Sequence, residues 1–130
     1  MSAASEFRAA IERRDLDGML ATLADDVVLH SPVSFKPFEG KAAVARLLRI
    51  LVDTFEDFRY TDELAGEDVA ALIFRTRVGA REVEGLDLIR TGPDGRIADF
   101  TVMVRPLTAV VALGEAVGPR LAAAEEAPAS

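Results

Sequence analysis

The chain is 130 residues long, has a mass of 14.0 kDa and is 50% hydrophobic, enough for one domain with a sizeable core and too little for two. Its formal net charge of −7 and pI near 4.7 repel a phosphate backbone, and no run of Lys or Arg reverses this locally, so nucleic acid is not an expected partner. The lack of cysteine excludes disulfides, thiolate nucleophiles and cysteine-based metal sites.

The opening stretch MSAASEFRAA has no basic segment followed by an apolar one, and no apolar run approaches the length of a membrane span. A cytoplasmic protein with no membrane partner is expected. Phe7, Ala10 and Ile11 fall at helical spacing, with Ser2 or Ser5 available as N-cap. Asp15 is placed to cap a second helix carrying Leu16, Leu20 and Leu23, which Asp25-Asp26 should end before the β-branched run Val27-Val28-Leu29. Pro32 and Pro37 bracket a loop. Gly40 precedes a third helix with Val44, Leu47, Leu48, Leu51 and Phe55 on one face.

From residue 58 the period changes to two, predicting strands over 58–64, 70–78, 81–91 and 96–105, separated by Gly66, Gly79 and Gly92-Pro-Asp-Gly95. Pro106 should start a last helix with Val110, Leu113, Val117 and Leu121 on one stripe, weakened by Gly114 and Gly118. Residues 122–130 have nothing to pack against and are expected to form a disordered tail beyond a single domain spanning 1–121. Helices followed by a run of strands make an α+β domain, its helices covering one face of a curved antiparallel sheet.

A two-residue turn at Gly79-Ala80 pairs Val78 with Arg81, which sets Arg77 opposite Glu82, Arg75 opposite Glu84 and Ile73 opposite Leu86. The arginines then form a salt ladder on a solvated face. The same register turns Asp87 to the other face with Phe74, and a turn flanked by Thr91 and Arg96 sets Asp87 opposite Phe100, with Val102 and Val104 also inward. An acid among apolar side chains must find partners or raise its pKa. Asp87 is therefore the leading candidate for an acid or hydrogen-bond donor, its bland counterpart being an acid that only ties down the interior.

At the end of the first strand, in LHSPV, alternation admits His30 or Ser31 to the interior, but not both. His30 is the only histidine and the only candidate base. A Ser31-His30-Asp87 triad is not expected, because adjacent side chains in a strand diverge. No phosphate-binding glycine pattern occurs, and one histidine without cysteine implies neither a metal nor a cofactor.

Three pieces, RRDLDGMLATLADDVVLHSPV, the PFEG before the long helix, and EGLDLIRTGPDGRIADFTVMVRP, together resemble the SnoaL-like branch of the nuclear-transport-factor-2-like superfamily over roughly residues 5 to 121. The branch includes ketosteroid isomerases and limonene-epoxide hydrolases. The resemblance implies a cystatin-like cone: a curved sheet wrapped by N-terminal helices around a hydrophobic pocket. It sets Asp87 at the position of the isomerases' protonated, oxyanion-binding acid. The position of their general base falls on Ser31 and that of their oxyanion tyrosine on Phe7, so isomerisation by that full mechanism is not expected. A limonene-epoxide hydrolase site is disfavoured too, since its later aspartate falls on Val102 and residues 70–78 contain no Asp. The polyketide cyclases of this branch use an Asp in a hydrophobic pocket, which Asp87 resembles.

Two functional readings follow. The first is a cofactor-independent isomerase, cyclase or lyase-type enzyme acting on a small hydrophobic molecule, with Asp87 as acid or oxyanion donor, His30 as base, and Ser31, Phe7, Phe74, Phe100, Val102 and Val104 shaping the pocket. The alternative is a non-catalytic ligand-binding or interaction module on the same fold. A His30 sharing the cavity of Asp87 favours the first, and a His30 turned to solvent the second. The outer sheet face, with Ile73, Leu86, Leu88, Thr101 and Met103, is apolar enough to predict an isologous homodimer, as the family resemblance also implies.

Overall fold

The computed structural model describes residues 2–126. Its elements in chain order are α1 (Ala3–Glu12), α2 (Leu16–Ala21), β1 (Leu23–His30), β2 (Phe38–Glu39), α3 (Lys41–Thr54), β3 (Glu56–Ala65), β4 (Val69–Val78), β5 (Arg81–Thr91), β6 (Ile97–Arg105) and α4 (Leu107–Glu126). Ser2 caps α1 by accepting the Ser5 N–H at 3.1 Å, and Asp15 caps α2 by accepting the Gly18 N–H at 3.0 Å. Each cap satisfies a helix-terminal donor that would otherwise be left bare.

The six strands form one sheet in the order β2-β1-β6-β5-β4-β3. Neighbours run antiparallel except β1 and β6, which are parallel. Irregularities in the β1–β6, β3–β4 and β5–β6 pairings bend the sheet without closing it. One face is lined by Ala70, Leu72, Phe74, Thr76 and Val78 of β4 and Val83, Gly85, Asp87 and Ile89 of β5, all buried. The helices cover that face: α1 lies against β3 and β5, α3 against β1, and α4 against α3 and β4–β6. The result is the expected α+β cone.

Several expectations need correction. Asp25 and Asp26 do not end a helix; they lie within β1, both exposed, where the register with β6 slips between Leu23 and Val28. A bulge lets two consecutive acids share the solvent side. The loop after β1 also folds back, pairing Phe38 with Leu29 and Glu39 with Val28 to make the short β2.

The β4–β5 register is as predicted, from Val78 opposite Arg81 to Leu72 opposite Asp87, with Gly79 at the positive φ (59°) that suits the turn. Of the ladder, Arg75 meets Glu84 at 3.0 Å, while Arg77 turns to Asp57 on β3, and Arg105 joins Glu84 at 2.8 Å. The β5–β6 register differs: Asp87 faces Val102, not Phe100. The turn closes from the Gly92 N–H to the Arg96 carbonyl, and a further slip between Arg90 and Thr91 moves the partner by two residues. Parity, and hence the inward direction, is unchanged.

The last helix runs through Gly114, Gly118 and Pro119 to Glu126, so the stretch expected to fray from residue 122 is helical at its start; residues 127–130 lie outside the described residues. Packing outweighs the weak helix formers: Ala109, Leu113 and Val117 are buried, and Arg120 reaches Asp53 and Thr54 at 3.3 Å. Contrary to expectation, this helix contains an 18-residue window, Leu107–Ala124, long and apolar enough to cross a membrane on length and composition alone.

Candidate functional site

The site grows from the strand alternation of β3, β4 and β5. Asp87, flanked by Leu72 and Val102 on the neighbouring strands, is 5% exposed. One residue answers it. Tyr60 of β3 donates its hydroxyl proton to Asp87 Oδ2 at 2.9 Å. Burial pushes the Asp87 carboxyl up to about 7, and the Tyr60 hydrogen bond, which favours the charged form, offsets only part of this. Burial and the facing carboxylate together raise the Tyr60 phenol well above its ordinary range, so it stays a donor. The Tyr60 ring is held in turn: Phe58 packs edge-on at 5.0 Å, and the Arg8 guanidinium, bound to Glu63 at 2.8 Å, lies 5.6 Å from the ring centre.

Asp87 opens onto a cavity of about 60 Å³ whose walls are almost wholly apolar. Phe7, Phe74, Phe100 and Val102 line it as the sequence suggests, joined by Phe55, Phe58 and residues of α3. The distal end of the Phe74 ring lies over Gly85, where an added Cβ would fall 2.1 Å from the ring; only glycine admits the ring there. At one edge stands Arg14, in a left-handed conformation (φ 56°), donating to the Val52 carbonyl at 3.1 Å. Among the described residues no donor but Tyr60 reaches Asp87, and its second oxygen is not sealed off from the cavity. Chemically, a carboxyl poised near neutrality can donate a proton to a ligand carbonyl in its acid form or take one from carbon in its charged form.

The other sequence candidates do not all converge there. His30 is on the opposite face of β1, its Nε2 3.1 Å from Asp99 Oδ2 of β6, with the two side chains 42% and 38% exposed. Alternation sends Leu29 inward and His30 outward. Ser31 takes the inward direction but lines a neighbouring cavity, and its hydroxyl accepts the Val33 N–H at 3.1 Å. Val104, although on the inner parity, lies beyond the Asp87 cavity along a shallow groove with His30. The residue that sequence reading passed over is Tyr60. Its signal was present: the only tyrosine of the chain, in a predicted strand at the same parity as Phe58, needs a partner for its hydroxyl when buried.

A family model described as SnoaL-like domain matches residues 4–100. No curated protein matches the chain. Among solved structures, a steroid delta-isomerase from Pseudomonas aeruginosa is 43% identical, with a TM-score of 0.88 over 96% of this chain and 93% of that one. A protein with a cystatin-like fold from Silicibacter pomeroyi DSS-3 is 31% identical, with a TM-score of 0.86 over 91% of this chain and 84% of that one. An NTF2-like protein from Mesorhizobium loti, 19% identical with a TM-score of 0.72 over 80% of this chain and 88% of that one, shares the fold. By its sequence match and by the cone around Asp87, the chain belongs to the SnoaL-like domain family.

Proposed function

We propose that this protein is a cofactor-independent enzyme of isomerase type acting on a small, apolar, carbonyl-bearing molecule, with Asp87 as its acid–base group. The observation that carries the reading is a buried carboxyl with a pKa of about 7, fixed by Tyr60, at the wall of an otherwise apolar cavity. The 43% identity to a protein described as a steroid delta-isomerase supports it. With His30 outside, Asp87 is the group in the cavity able to exchange a proton near neutrality. In its acid form it donates a hydrogen bond to the ligand carbonyl; in its charged form it takes a proton from the carbon between carbonyl and double bond. Returning that proton to the far end of the resulting dienolate moves the double bond into conjugation, with no atom gained or lost.

The test is the growth of conjugated-enone absorbance from a β,γ-unsaturated ketone. Turnover limited by the charged form rises as pH passes through about 7, whereas carbonyl binding by the acid form weakens over the same interval. Asp87→Asn should abolish turnover. Tight binding of such ketones by the wild-type chain with no turnover at any pH would favour the second reading, a binding module, for which the outward His30 speaks.

Assembly is part of the proposal. The outer face presents Ile73, Leu86 and Leu88 half-buried and Met103 52% exposed, beside the Arg75–Glu84–Arg105 network. A two-fold pairing of this face with itself would cover that apolar strip. Light scattering at micromolar concentration should give twice the chain mass; the mass of one chain would refute it.

A further inference from the structure

The cavity that holds Asp87 carries one other charged group on its walls, Arg14; the remaining side chains that line it are hydrocarbon or, at Met19, a thioether. The Arg14 backbone is fixed at a position where glycine is usual. It follows the last turn of α1 at φ 56°, with its own N–H on the Ile11 carbonyl at 3.0 Å and the Asp15 N–H on the Ala10 carbonyl at 2.8 Å. Its Nη2 donates to the Val52 carbonyl at 3.1 Å, joining the end of α1 to the last turn of α3 at the edge of the cavity. A guanidinium has five N–H donors, and Val52 engages one group of them. Among the described residues no carboxylate forms an ion pair with Arg14, unlike its neighbour Arg13. The acids placed beside this contact in sequence are occupied elsewhere: Asp15 accepts from the Gly18 N–H at 3.0 Å and from Arg13 at 3.1 Å, and Asp53 meets Arg120 at 3.3 Å.

We infer that Arg14 binds a carboxylate on the ligand, so that the molecule accepted is a keto acid with its carbonyl at Asp87 and its anionic end at the cavity edge. The inference rests on the proposed placement of a carbonyl at Asp87. It narrows the ligand class from any apolar carbonyl compound to one charged at a single end. The planar guanidinium presents paired N–H donors that match the two oxygens of a carboxylate. On a chain of net charge −7 an anion is repelled at long range, so its binding needs a cation at the point of entry. Arg14 supplies that cation beside an otherwise uncharged wall, whereas a neutral ketone would leave its remaining donors to water.

The probes are the methyl-ketone acids from 4-oxopentanoate to 8-oxononanoate and their primary amides, which match them in shape without the charge. Each is titrated into the whole chain by NMR at about pH 6, where the acids are ionised and Asp87, at about 7, is mostly neutral. Water screens the exposed guanidinium, so at the best chain length the acid should bind about threefold to tenfold more tightly than its amide, and the preference should shrink in concentrated salt. Arg14→Gly, which suits the φ of 56°, and Arg14→Gln, which keeps a donor for Val52, should each abolish the preference and leave the amides bound as in wild type. Both variants are verified by their thermal transitions. If acids and amides bind wild type alike at every length, if the acids do not bind at all, or if the preference survives in whichever variants fold, Arg14 is not the carboxylate site. Asp87→Leu, close in volume but without a donor, separates the two claims. It should weaken acid and amide by a similar factor; if it weakens neither while the Arg14 variants still remove the preference, the carboxylate site stands and the placement of the carbonyl falls.

Discussion

Two carboxylates of this protein each bind one ring-bearing side chain at nearly the same distance, in very different surroundings. Asp87 accepts from Tyr60 at 2.9 Å inside the cone, and Asp99 meets His30 at 3.1 Å on its outer face. Asp87 is 5% exposed, whereas the Asp99 side chain is 38% exposed. Water solvates the outer pair and screens it, so little is gained or lost by its charge. Inside, a single hydrogen bond offsets only part of the cost of removing a charge from water, and the carboxyl rises to about 7. What brings the Asp87 carboxyl near neutrality is its place on the inner face of the strand, not the kind of partner it has.

The largest test of this contrast is the pH dependence of stability. The Asp87 carboxyl is raised in the folded state from 3.8 to about 7, so between these values the folded chain holds a proton that the unfolded chain has released. Stability contributed by this site is complete below about pH 4, falls as pH rises, and is lost above about pH 7, a change on the order of 4 kcal/mol. Asp15, Asp57 and Glu84 are shifted the other way, downward, and their contribution is lost only in more acidic solution. Asp87→Asn should remove the fall, giving a variant that matches wild type near pH 4 and is more stable near pH 8 in urea denaturation. An unchanged slope would mean that water reaches Asp87 as freely as it reaches Asp99.

Tyr60→Phe sharpens the contrast from the partner's side. It deletes the hydrogen bond that favours the charged carboxylate, so the Asp87 pKa should move above about 7, as followed by carboxyl-carbon NMR. The cost should be about 1.5–3 kcal/mol where Asp87 is charged and smaller where it is neutral. A fall in the pKa would show that the hydroxyl serves the neutral acid instead. Gly85→Ala attacks the wall rather than the pair: its methyl would meet the Phe74 ring at 2.1 Å, and Phe74 is itself packed against Phe58 at 4.9 Å. A loss of about 1–3 kcal/mol is expected in thermal unfolding.

How much of this could be read from the sequence depends on how local the determining contact is. The inward turn of Asp87 follows from the Gly79-Ala80 turn and strict alternation along β5, and alternation along β1 alone gives the divergence of His30 from Ser31. The partner of Asp87 on β6 was displaced by two residues because a bulge cannot be counted from residue types. Tyr60 escaped because its pairing crosses two strands: it faces Phe74 on β4, while Asp87 is on β5 opposite Leu72. Local propensity also undervalued α4, whose two glycines and internal proline are carried by its buried stripe on α3 and the sheet.

The smallest expected effect belongs to the outer pair. His30→Gln and Asp99→Asn each remove an exposed contact whose partner remains in water, and each should change stability by no more than about 0.2–1 kcal/mol. Because Leu29, not His30, takes the inward position on β1, neither substitution touches the cavity of Asp87, and affinity for ketones should be unchanged. That second measurement carries the weight. A stability change alone would report only on the β1–β6 pairing, where His30 is paired with Thr101. A loss of ketone affinity in His30→Gln, with Asp99→Asn unaffected, would mean that the imidazole leaves Asp99 and enters the cone with the ligand, and the division between an inner acid–base group and an outer inert one would fail.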